Sequence, residues 1–396
     1  MYFIYLGALR LPKYDAAAAR VLNNARILLE LGHTVKFISW GGEYDEKDKC
    51  DDGIFRVDEM EYCITNEIDA KGGLFNKMMQ VFTRGKKTLE LLNEATSKPD
   101  VIIMYNAGFF WTRTMINYCK KNDIKLINDI TEWYDNKELH IYERPFNTFN
   151  MKFLQKKVHN KIVISSFLKD FYQDSNNILL PPLCYQKDEK WNKTIENELI
   201  KPFNGITLMY AGTPATKDLV HVAINVVNRL ANEHFDIRFL ILGITKEKYL
   251  NRYSSQLDSS ELHNNIIFLG RVSQELVPAY YKKADFMILL RESTRKNNAG
   301  FPTKVAESIS AGVPVITNET SDLPLYIENG KNGFLLKDIS TLAIYDFFKN
   351  KLLSLQCEDI NAMKRCVQDS KKVFDFHTYK DAMFSFLSKL DDENNC

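Results

Sequence analysis

The sequence predicts an α/β fold made of two doubly wound domains in tandem. Short apolar runs alternate with segments of helical periodicity over residues 1–185, and the same alternation starts again over residues 206–370. This pattern is typical of a parallel sheet that is covered by helices on both faces. Residues 186–205 between the two halves are polar and carry no strand pattern, so we interpret them as a linker.

In the first domain, each predicted strand is a short apolar run. These runs are residues 1–7, 33–40, 101–105, 125–129 and 161–165. A helix is predicted at 16–32, where apolar residues recur with helical spacing and Gly32 is a typical C-terminal cap. After the second domain, residues 371–396 contain a predicted helix at 379–390 that can pack back on the first domain.

The second domain repeats the pattern around a long predicted helix at 219–233. Its predicted strands are residues 206–212, 237–243, 265–270, 285–290 and 313–317. Ligands of doubly wound sheets bind beyond the carboxyl ends of the strands. We therefore expect a ligand site at the strand ends of this domain, in a cleft between the two sheets.

Composition excludes several classes of protein. The 396 residues include 52 Lys and Arg against 51 Asp and Glu, so no extended basic surface for a nucleic acid is predicted. The seven cysteines form no C-x-x-C pair, which favours free thiols in a reducing cytoplasm. The first twelve residues are interpreted as a strand rather than a signal peptide, and no apolar run reaches 18 residues. The expected location is the cytoplasm.

One short helix in the second domain carries the strongest chemical signal. Pro302 suits the first position of a helix, and Gly312 suits its end. The N-terminus of this helix faces the carboxyl edge of the predicted sheet, where its N–H groups and dipole favour an anion such as phosphate. Gly300 would let a ligand approach the backbone closely, and Lys304 adds a positive charge in the first turn.

A carboxylate follows on the same face of this helix. Glu307 lies four residues after Thr303, about 5–6 Å along the axis. That step is similar to the one from a diphosphate to the ribose of a nucleotide, and a carboxylate can accept hydrogen bonds from both ribose hydroxyls. An ordinary surface glutamate on a helix bounded by proline and glycine explains the same spacing equally well.

Four motifs together resemble a known family. They are "YAGTPATKDL" (210–219), "FLGRV" (268–272), "AGFPTKVAESISAGVPVIT" (299–317) and "ENGKNGFLL" (328–336). The sequence resembles the glycosyl transferases group 1 family, which is related to glycogen synthase, and within it the bacterial surface-polysaccharide enzymes. The resemblance covers residues 206–336 most clearly. It implies the GT-B architecture, in which two Rossmann-like domains face each other across a cleft.

The resemblance also implies roles for particular residues of the donor site. The family pairs two glutamates eight positions apart: Glu307 matches the second, which binds the ribose, whereas Ala299 stands at the first, which contacts the donor sugar. Lys217 matches a phosphate-binding lysine, and Thr213, after Gly212, replaces the usual arginine. Lys304 is our first candidate for the missing charge. Arg291 and Arg295 are the other candidates for this charge. The remaining contacts are Arg271 and Val272 for the base, and the segment Gly300, Phe301, Pro302 and Thr303 at the start of the helix.

Candidates for the acceptor side lie in the first domain. Asp129 and Glu132 follow a predicted strand, where a carboxylate can orient an acceptor hydroxyl, and Trp133 can stack on a sugar. Asp129 is explained equally well as a helix cap. Residues 72–87 form an amphipathic pattern flanked by lysines, which fits either an anionic membrane or a core-facing helix.

The predicted activity is sugar transfer from a UDP- or GDP-sugar to a hydroxyl of a glycan or lipid-linked acceptor, in polysaccharide synthesis. The resemblance implies retention of the anomeric configuration. No Asp-x-Asp motif stands in the donor domain, so we expect neither a metal nor a cofactor, and the enzyme would work in the cytoplasm or at the inner face of its membrane. Two alternatives stay open: a nucleotide-sugar epimerase, and a non-catalytic protein that binds a nucleotide or a partner.

Overall fold

The computed structural model divides into two compact units. Unit 1 comprises Met1–Leu183 and Phe376–Cys396, and unit 2 comprises Cys184–Asp375. Residues 186–205, interpreted above as a linker, therefore lie in unit 2, where Trp191 is buried. The structure describes residues 1–12, 15–67, 83–141, 143–259 and 261–390.

Unit 1 is built on an eight-stranded sheet, counted over its described residues. Its strands are β1 (Tyr2–Leu11), β2 (Thr34–Gly42), β3 (Arg56–Val57), β4 (Met60–Ile64), β5 (Val101–Tyr105), β6 (Lys125–Ile130), β7 (Asn160–Val163) and β8 (Asn176–Leu179). They lie in the order β3-β4-β2-β1-β5-β6-β7-β8. All neighbours pair in parallel except β3 and β4. The parallel core follows from the strand–helix alternation of the sequence.

The antiparallel pair β3–β4 was not predicted. Its strands are only two and five residues long, and Glu61 interrupts the apolar residues of β4, so neither strand contains an apolar run as long as those of the parallel strands. The two residues that join them, Asp58 and Glu59, both have positive φ angles, 49° and 69°. This is the backbone of a two-residue hairpin turn, which normally contains glycine or asparagine. Because Asp58 and Glu59 are not residues that favour positive φ angles, the sequence did not indicate a hairpin here.

Five described helices cover this sheet before the chain enters unit 2. They are α1 (Ala16–Glu30), α2 (Lys86–Glu94), α3 (Phe109–Asn122), α4 (Arg144–Phe149) and α5 (Ser166–Phe171). The N-terminus of α1 is capped by Asp15, whose side chain accepts a 2.9 Å hydrogen bond from the Ala18 N–H. Most of the amphipathic pattern at 72–87 lies outside the described residues, and its membrane interpretation stays a prediction.

The C-terminal helix α13 (Lys380–Ser388) belongs to unit 1. The Glu30 carboxylate at the end of α1 lies 2.9 Å from His377 Nε2 and forms an ion pair with Lys380 at 3.7 Å. On the other side, the Asn176 side chain donates to the carbonyl of Phe386 at 3.3 Å. The last described helix therefore packs on α1 and β8, where the sequence pattern allowed it to lie.

Unit 2 contains a six-stranded sheet with the strand order of a dinucleotide-binding fold. Its described strands are β9 (Ile206–Ala211), β10 (Ile237–Leu242), β11 (Ile266–Gly270), β12 (Phe286–Leu289), β13 (Val315–Asn318) and β14 (Gly333–Leu336). All are parallel, in the order β11-β10-β9-β12-β13-β14. The order reverses between β9 and β12, which is where ligands bind in open α/β sheets.

The helices of unit 2 differ from the predicted ones mainly around residue 300. They are α6 (Val220–Asn232), α7 (Lys246–Tyr253), α8 (Val277–Tyr281), α9 (Arg295–Ala299), α10 (Thr303–Ser310), α11 (Thr341–Asn350) and α12 (Cys357–Ser370). The predicted loop at 291–300 thus contains the short helix α9, whose N-terminus is capped by Thr294. Pro302 precedes α10 as its N-cap, with an extended ψ of 104°, and is not its first helical residue.

A buried lysine in unit 1 should make stability depend on pH. Lys161 is fully buried; its ammonium donates to the Val158 carbonyl and, at 2.6 Å, to the Ser175 hydroxyl, and lies 5.1 Å from the Tyr172 ring centre. Burial, with a smaller contribution from the charge of Lys156, lowers its pKa from 10.5 to about 7. Since the unfolded chain keeps the higher pKa, stability should rise with pH between about 7 and 10.5, by at most about 1.4 kcal/mol per pH unit.

Replacement of Lys161 by methionine should remove this rise. We expect urea midpoints at pH 7 and pH 9 to differ more for the wild type than for Lys161→Met. The exposed Lys169→Met is the matched control and should keep the wild-type difference. Equal pH dependence of Lys161→Met and wild type would contradict the assignment of a depressed lysine pKa.

No helix within the described ranges combines the length and the apolar character needed to cross a membrane.

Candidate functional site

The carboxyl ends of three neighbouring strands bring polar side chains together in unit 2. Asp218 follows β9, Arg291 follows β12, and Asn318 is the last residue of β13. The Arg291 N–H donates to the Asn318 side chain at 3.0 Å, and that side chain donates back to the Arg291 carbonyl at 2.8 Å. This pair fixes the backbone beyond β12, so the direction of the Arg291 side chain is set by the sheet.

Asp218 is the centre of the cluster. Its fully buried carboxylate accepts hydrogen bonds from Arg291 Nε at 2.7 Å, from Lys304 Nζ at 3.1 Å and from the Tyr210 hydroxyl at 2.6 Å. Burial alone would raise the pKa of Asp218, but the charges of Lys304 and Arg291 and the hydrogen bonds from Tyr210 and Arg291 lower it to about 2. Asp218 is therefore ionised at neutral pH and holds both cations in place.

Lys304 reaches this carboxylate across the backbone of Gly212. Gly212 has a φ of +124°, and a Cβ atom added there would lie 2.5 Å from Lys304 Cε. The backbone therefore needs glycine both for its conformation and for the space that the lysine occupies. The Lys304 side chain is 19% exposed, against 7% for Arg291, so Lys304 is the cation of this pair that a ligand can reach.

Helix α10 presents its N-terminus at the same edge. Lys304 lies in its first turn, and Pro302 makes no side-chain cap with it. Because α10 follows β12 in a parallel sheet, its first N–H groups lie at the carboxyl ends of the strands. Glu307 lies on the next turn and is partly buried. Burial raises the pKa of Glu307, and the charges of Lys190 and Lys304 oppose this only in part. The helix thus offers a positive end followed by a carboxylate.

The segment before α10 differs from the expectation for Gly300. Gly300 has φ −90° and ψ 178°, an extended conformation that any residue can adopt. The backbone angles therefore do not require glycine here. The close approach of a ligand to the backbone remains the one reason that we gave for this glycine. Ala299 is completely buried at the end of α9, and the Ser321 hydroxyl donates to the Gly300 carbonyl.

The other predicted donor-site residues lie along the same edge. Thr213 is exposed, with its hydroxyl 3.5 Å from the Gly243 carbonyl, and Lys217 is partly buried in the same loop. Arg271 is exposed immediately after β11, one strand beyond β10. Their placement agrees with a site at the strand ends, and their roles stay predictions. Phe301 and Pro302 are buried, while Thr303 and Val272 are partly buried.

Sequence reasoning missed Asp218, although it stands in a quoted motif. An aspartate just before a predicted helix is commonly a cap, so its position alone does not indicate a buried ion-pair partner. Tyr210 and Asn318 were missed because both lie within apolar strands, where a single polar residue gives no signal. One signal was available: Asp218 lies next to Lys217 in the segment after a glycine-containing strand end. A carboxylate in such a position indicates a cationic partner nearby.

The acceptor candidates of unit 1 are less accessible than expected. Asp129 is completely buried and accepts hydrogen bonds from Arg20, at 2.7 Å, from Tyr5, and from Asn24 at 3.3 Å. Arg20 also donates to the Leu180 carbonyl at 2.9 Å. The Asp129–Arg20 pair therefore connects β6, α1 and the residue that follows β8. These contacts favour a structural role for Asp129 over contact with an acceptor.

Trp133 also belongs to the interior of unit 1. It is 8% exposed, and its ring packs edge-on against Phe171 at a centroid distance of 4.9 Å. A sugar-stacking platform needs an exposed ring face, so the structure does not support that interpretation. Glu132 is partly buried, and its charge contributes, after burial, to raising the pKa values of Tyr105 and Tyr134. The acceptor role of Glu132 stays a prediction.

Comparison with known proteins identifies the class to which these features belong. Residues 192–361 match the family model described as Glycosyl transferases group 1. Trehalose phosphorylase from Pleurotus sajor-caju is 35% identical over 101 residues, which are 24% of this chain and 13% of that protein. The putative colanic acid biosynthesis glycosyltransferase WcaL from Salmonella typhimurium is 27% identical over 126 residues, which are 32% of this chain and 30% of that protein. The matches thus span less than a third of either relative.

The fold extends over the whole chain. The crystal structure of Anabaena HepE in complex with UDP and glucose has a TM-score of 0.68 and 13% sequence identity, and covers 98% of this chain and 99% of HepE. The family match covers residues 192–361, which are less than half of the chain. The predicted fold, two Rossmann-like α/β domains as in GT-B glycosyltransferases, and the predicted resemblance to this family are both confirmed.

Proposed function

We propose that this protein transfers a sugar from a nucleoside-diphosphate sugar to a hydroxyl group of a glycan or lipid-linked acceptor. The observation that carries the proposal is the pairing of Lys304 and Glu307 on one helix whose N-terminus lies at the strand ends of unit 2. The position next to the reversal of strand order supports a nucleotide as the ligand. HepE, which shares the fold, was solved with UDP and glucose, and this supports the same ligand class here.

The diphosphate would lie between the N-terminus of α10 and Lys304. Helix N–H groups and a partly exposed ammonium neutralise phosphate charge, and they stabilise the diphosphate further as it leaves with an additional negative charge. Asp218 cancels one of the two positive charges, so Asp218, Arg291 and Lys304 together carry one net positive charge. Lys217 in the neighbouring loop is the second cation that we assign to the phosphates. With these groups the transfer needs no metal ion.

Glu307 would bind the ribose. Its carboxylate can accept one hydrogen bond from each of the two ribose hydroxyls when it is ionised. The nucleotide base would lie toward Arg271 and Val272, which follow β11 at the same edge. The order along the site is then sugar, diphosphate, ribose and base, with the sugar nearest to Ala299 and Gly300.

The buried Ala299 favours a second candidate function. A methyl group there cannot contact the sugar as a carboxylate would, so we assign the sugar contacts to backbone N–H groups near Gly300 and Phe301. A protein that binds the nucleotide without transferring the sugar explains the same residues.

Among acceptors, we favour a growing polysaccharide, and we expect transfer with retention of configuration.

The experiment that tests the proposal combines binding with turnover. Thermal-shift measurements with UDP, GDP and their common sugar conjugates should show stabilisation by one nucleotide, roughly 2.7 kcal/mol at 100 times its dissociation constant. Release of free nucleoside diphosphate that requires an added glycan would then establish transfer. Binding without acceptor-dependent release would favour the non-catalytic function, and no binding at millimolar nucleotide would contradict both.

A further inference from the structure

A helical segment of unit 1 carries aromatic and basic side chains whose purpose the proposed function leaves unexplained. It consists of α4, a π-helical turn (Asn150–Leu154) and a 3₁₀ turn (Gln155–Lys157) in direct succession. The sequence from 144 to 157 is "RPFNTFNMKFLQKK", which contains four basic residues and no acidic residue. We call the surface of this segment, with the rings of Phe109 and Phe110 that adjoin it, the aromatic-basic surface.

Phenylalanine rings form a continuous apolar strip across this surface. Successive ring centroids lie 4.9 Å apart for Phe110 and Phe146, 5.4 Å for Phe146 and Phe109, 5.7 Å for Phe109 and Phe149, and 5.3 Å for Phe149 and Phe153. The last two residues of the strip are 49% and 57% exposed. Contiguous exposed aromatic rings cost hydration free energy, and such strips mark interaction sites.

Hydrogen bonds on the buried side of the segment fix the backbone that carries the exposed rings. The side chains of Asn150 and Gln155 both donate to the Ala107 carbonyl, at 2.9 and 3.0 Å, and the Tyr172 hydroxyl donates to the Met151 carbonyl at 2.9 Å. These bonds hold the buried side of the segment to the rest of unit 1. The outward direction of Phe149 and Phe153 is therefore a consequence of the fold, and both rings are presented to whatever covers the surface.

Exposed lysines accompany the strip along the chain. Lys152 and Lys157 are exposed, and Lys156 is exposed with its ammonium 5.2 Å from the Phe171 ring centre. The nearest preceding acidic residue, Glu143, accepts a 3.2 Å hydrogen bond from the His140 N–H. A partner must therefore offer both apolar depth for the rings and negative charge around them.

We propose that the aromatic-basic surface docks on an anionic lipid bilayer. Phenylalanine rings enter the boundary between headgroups and acyl chains, while lysines on the same face contact anionic headgroups. The combination of charge and aromatic exposure matches a bilayer, which offers an apolar interior beneath anionic headgroups on one surface. The proposal does not depend on nucleotide binding.

Co-sedimentation with vesicles tests the proposal. Wild type should partition to vesicles of phosphatidylcholine with 30% phosphatidylglycerol, and weakly to phosphatidylcholine alone. Lys152→Gln with Lys157→Gln should lower the partition coefficient about 25-fold, since one basic residue near an anionic surface is worth about fivefold. Phe149→Ser with Phe153→Ser should reduce it at least tenfold.

Matched controls lie elsewhere on the chain. Phe384→Ser removes a phenylalanine that is 62% exposed on α13, and Lys246→Gln with Lys248→Gln removes two exposed charges from α7. Both should bind vesicles like wild type. Equal binding of wild type to both vesicle types, or equal losses in control and test variants, would overturn the proposal. So would a dimer in sedimentation equilibrium that dissociates in Phe149→Ser with Phe153→Ser, because the strip would then be a contact between two copies.

Discussion

Replacement of Glu307 by glutamine is expected to weaken binding of the nucleoside diphosphate by about 10- to 100-fold. The carboxylate would lose its charge and one acceptor site, and a hydrogen bond to a charged group is worth about 1.5–3 kcal/mol. The fold of α10 should persist, because the amide has the same shape and the helix keeps its backbone contacts. Isothermal titration of wild type and Glu307→Gln with the nucleotide found by thermal shift measures the difference.

The same residue should make nucleotide binding depend on pH. Burial raises the pKa of Glu307, so this carboxyl takes up a proton at a higher pH than an ordinary glutamate. The ribose contact needs the ionised form, so affinity should decline as the pH falls through the raised pKa. This decline should be absent from Glu307→Gln.

The exposed Glu358→Gln on α12 is the control for general effects of removing a glutamate. It should bind nucleotide like wild type at every pH. If Glu307→Gln binds the nucleotide as tightly as wild type, Glu307 does not bind the ribose. The groups around Lys304 would then be the determinants of nucleotide binding.

Replacement of Asp218 by asparagine is expected to destabilise unit 2 by about 3–5 kcal/mol. This change removes the negative charge between two cations and leaves Arg291, whose side chain is 7% exposed, without its partner. Loss of one member of a buried ion pair costs about this amount, because the remaining charge stays desolvated. A lower urea midpoint of Asp218→Asn than of wild type measures the effect.

A second variant separates charge from shape. Asp218→Asn combined with Arg291→Met removes both members of the buried pair and should recover much of the lost stability. If the double variant is as unstable as the sum of the two single variants, the two residues act independently, and the cluster is not an ion-pair network.

Acid should weaken the same cluster in the wild type. The folded-state pKa of Asp218 is about 2, against an ordinary 3.8, so its contribution is complete above pH 3.8 and is lost as the pH falls toward 2. The shift corresponds to about 2 kcal/mol. Asp218→Asn should lack this part of the acid dependence.

The sequence predicted those features of the site that lie close together along the chain. Lys304 and Glu307 are three residues apart. Pro302 and Gly312 mark the two ends of the helix that carries both residues. The strands ending next to this helix were found because apolar runs report burial on both faces. These signals are local, so a single segment contains all the information that they need.

The cluster around Asp218 was out of reach for the same reason. Asp218 lies 73 residues from Arg291 and 86 residues from Lys304, and the strand order alone brings them together. The pairing of Arg20 with Asp129, 109 residues apart, was equally invisible, and it changes the interpretation of Asp129 from an acceptor contact to a structural ion pair.

By itself, the sequence determined the alternation of strands and helices, the division into two α/β domains, and the helix that carries Lys304 and Glu307, because periodicity and capping depend on neighbouring residues. The tertiary structure decided which charges meet, which are buried and which stay exposed. Those properties depend on the order of strands in each sheet and on the desolvation of each group, and both are set only when distant segments pack together.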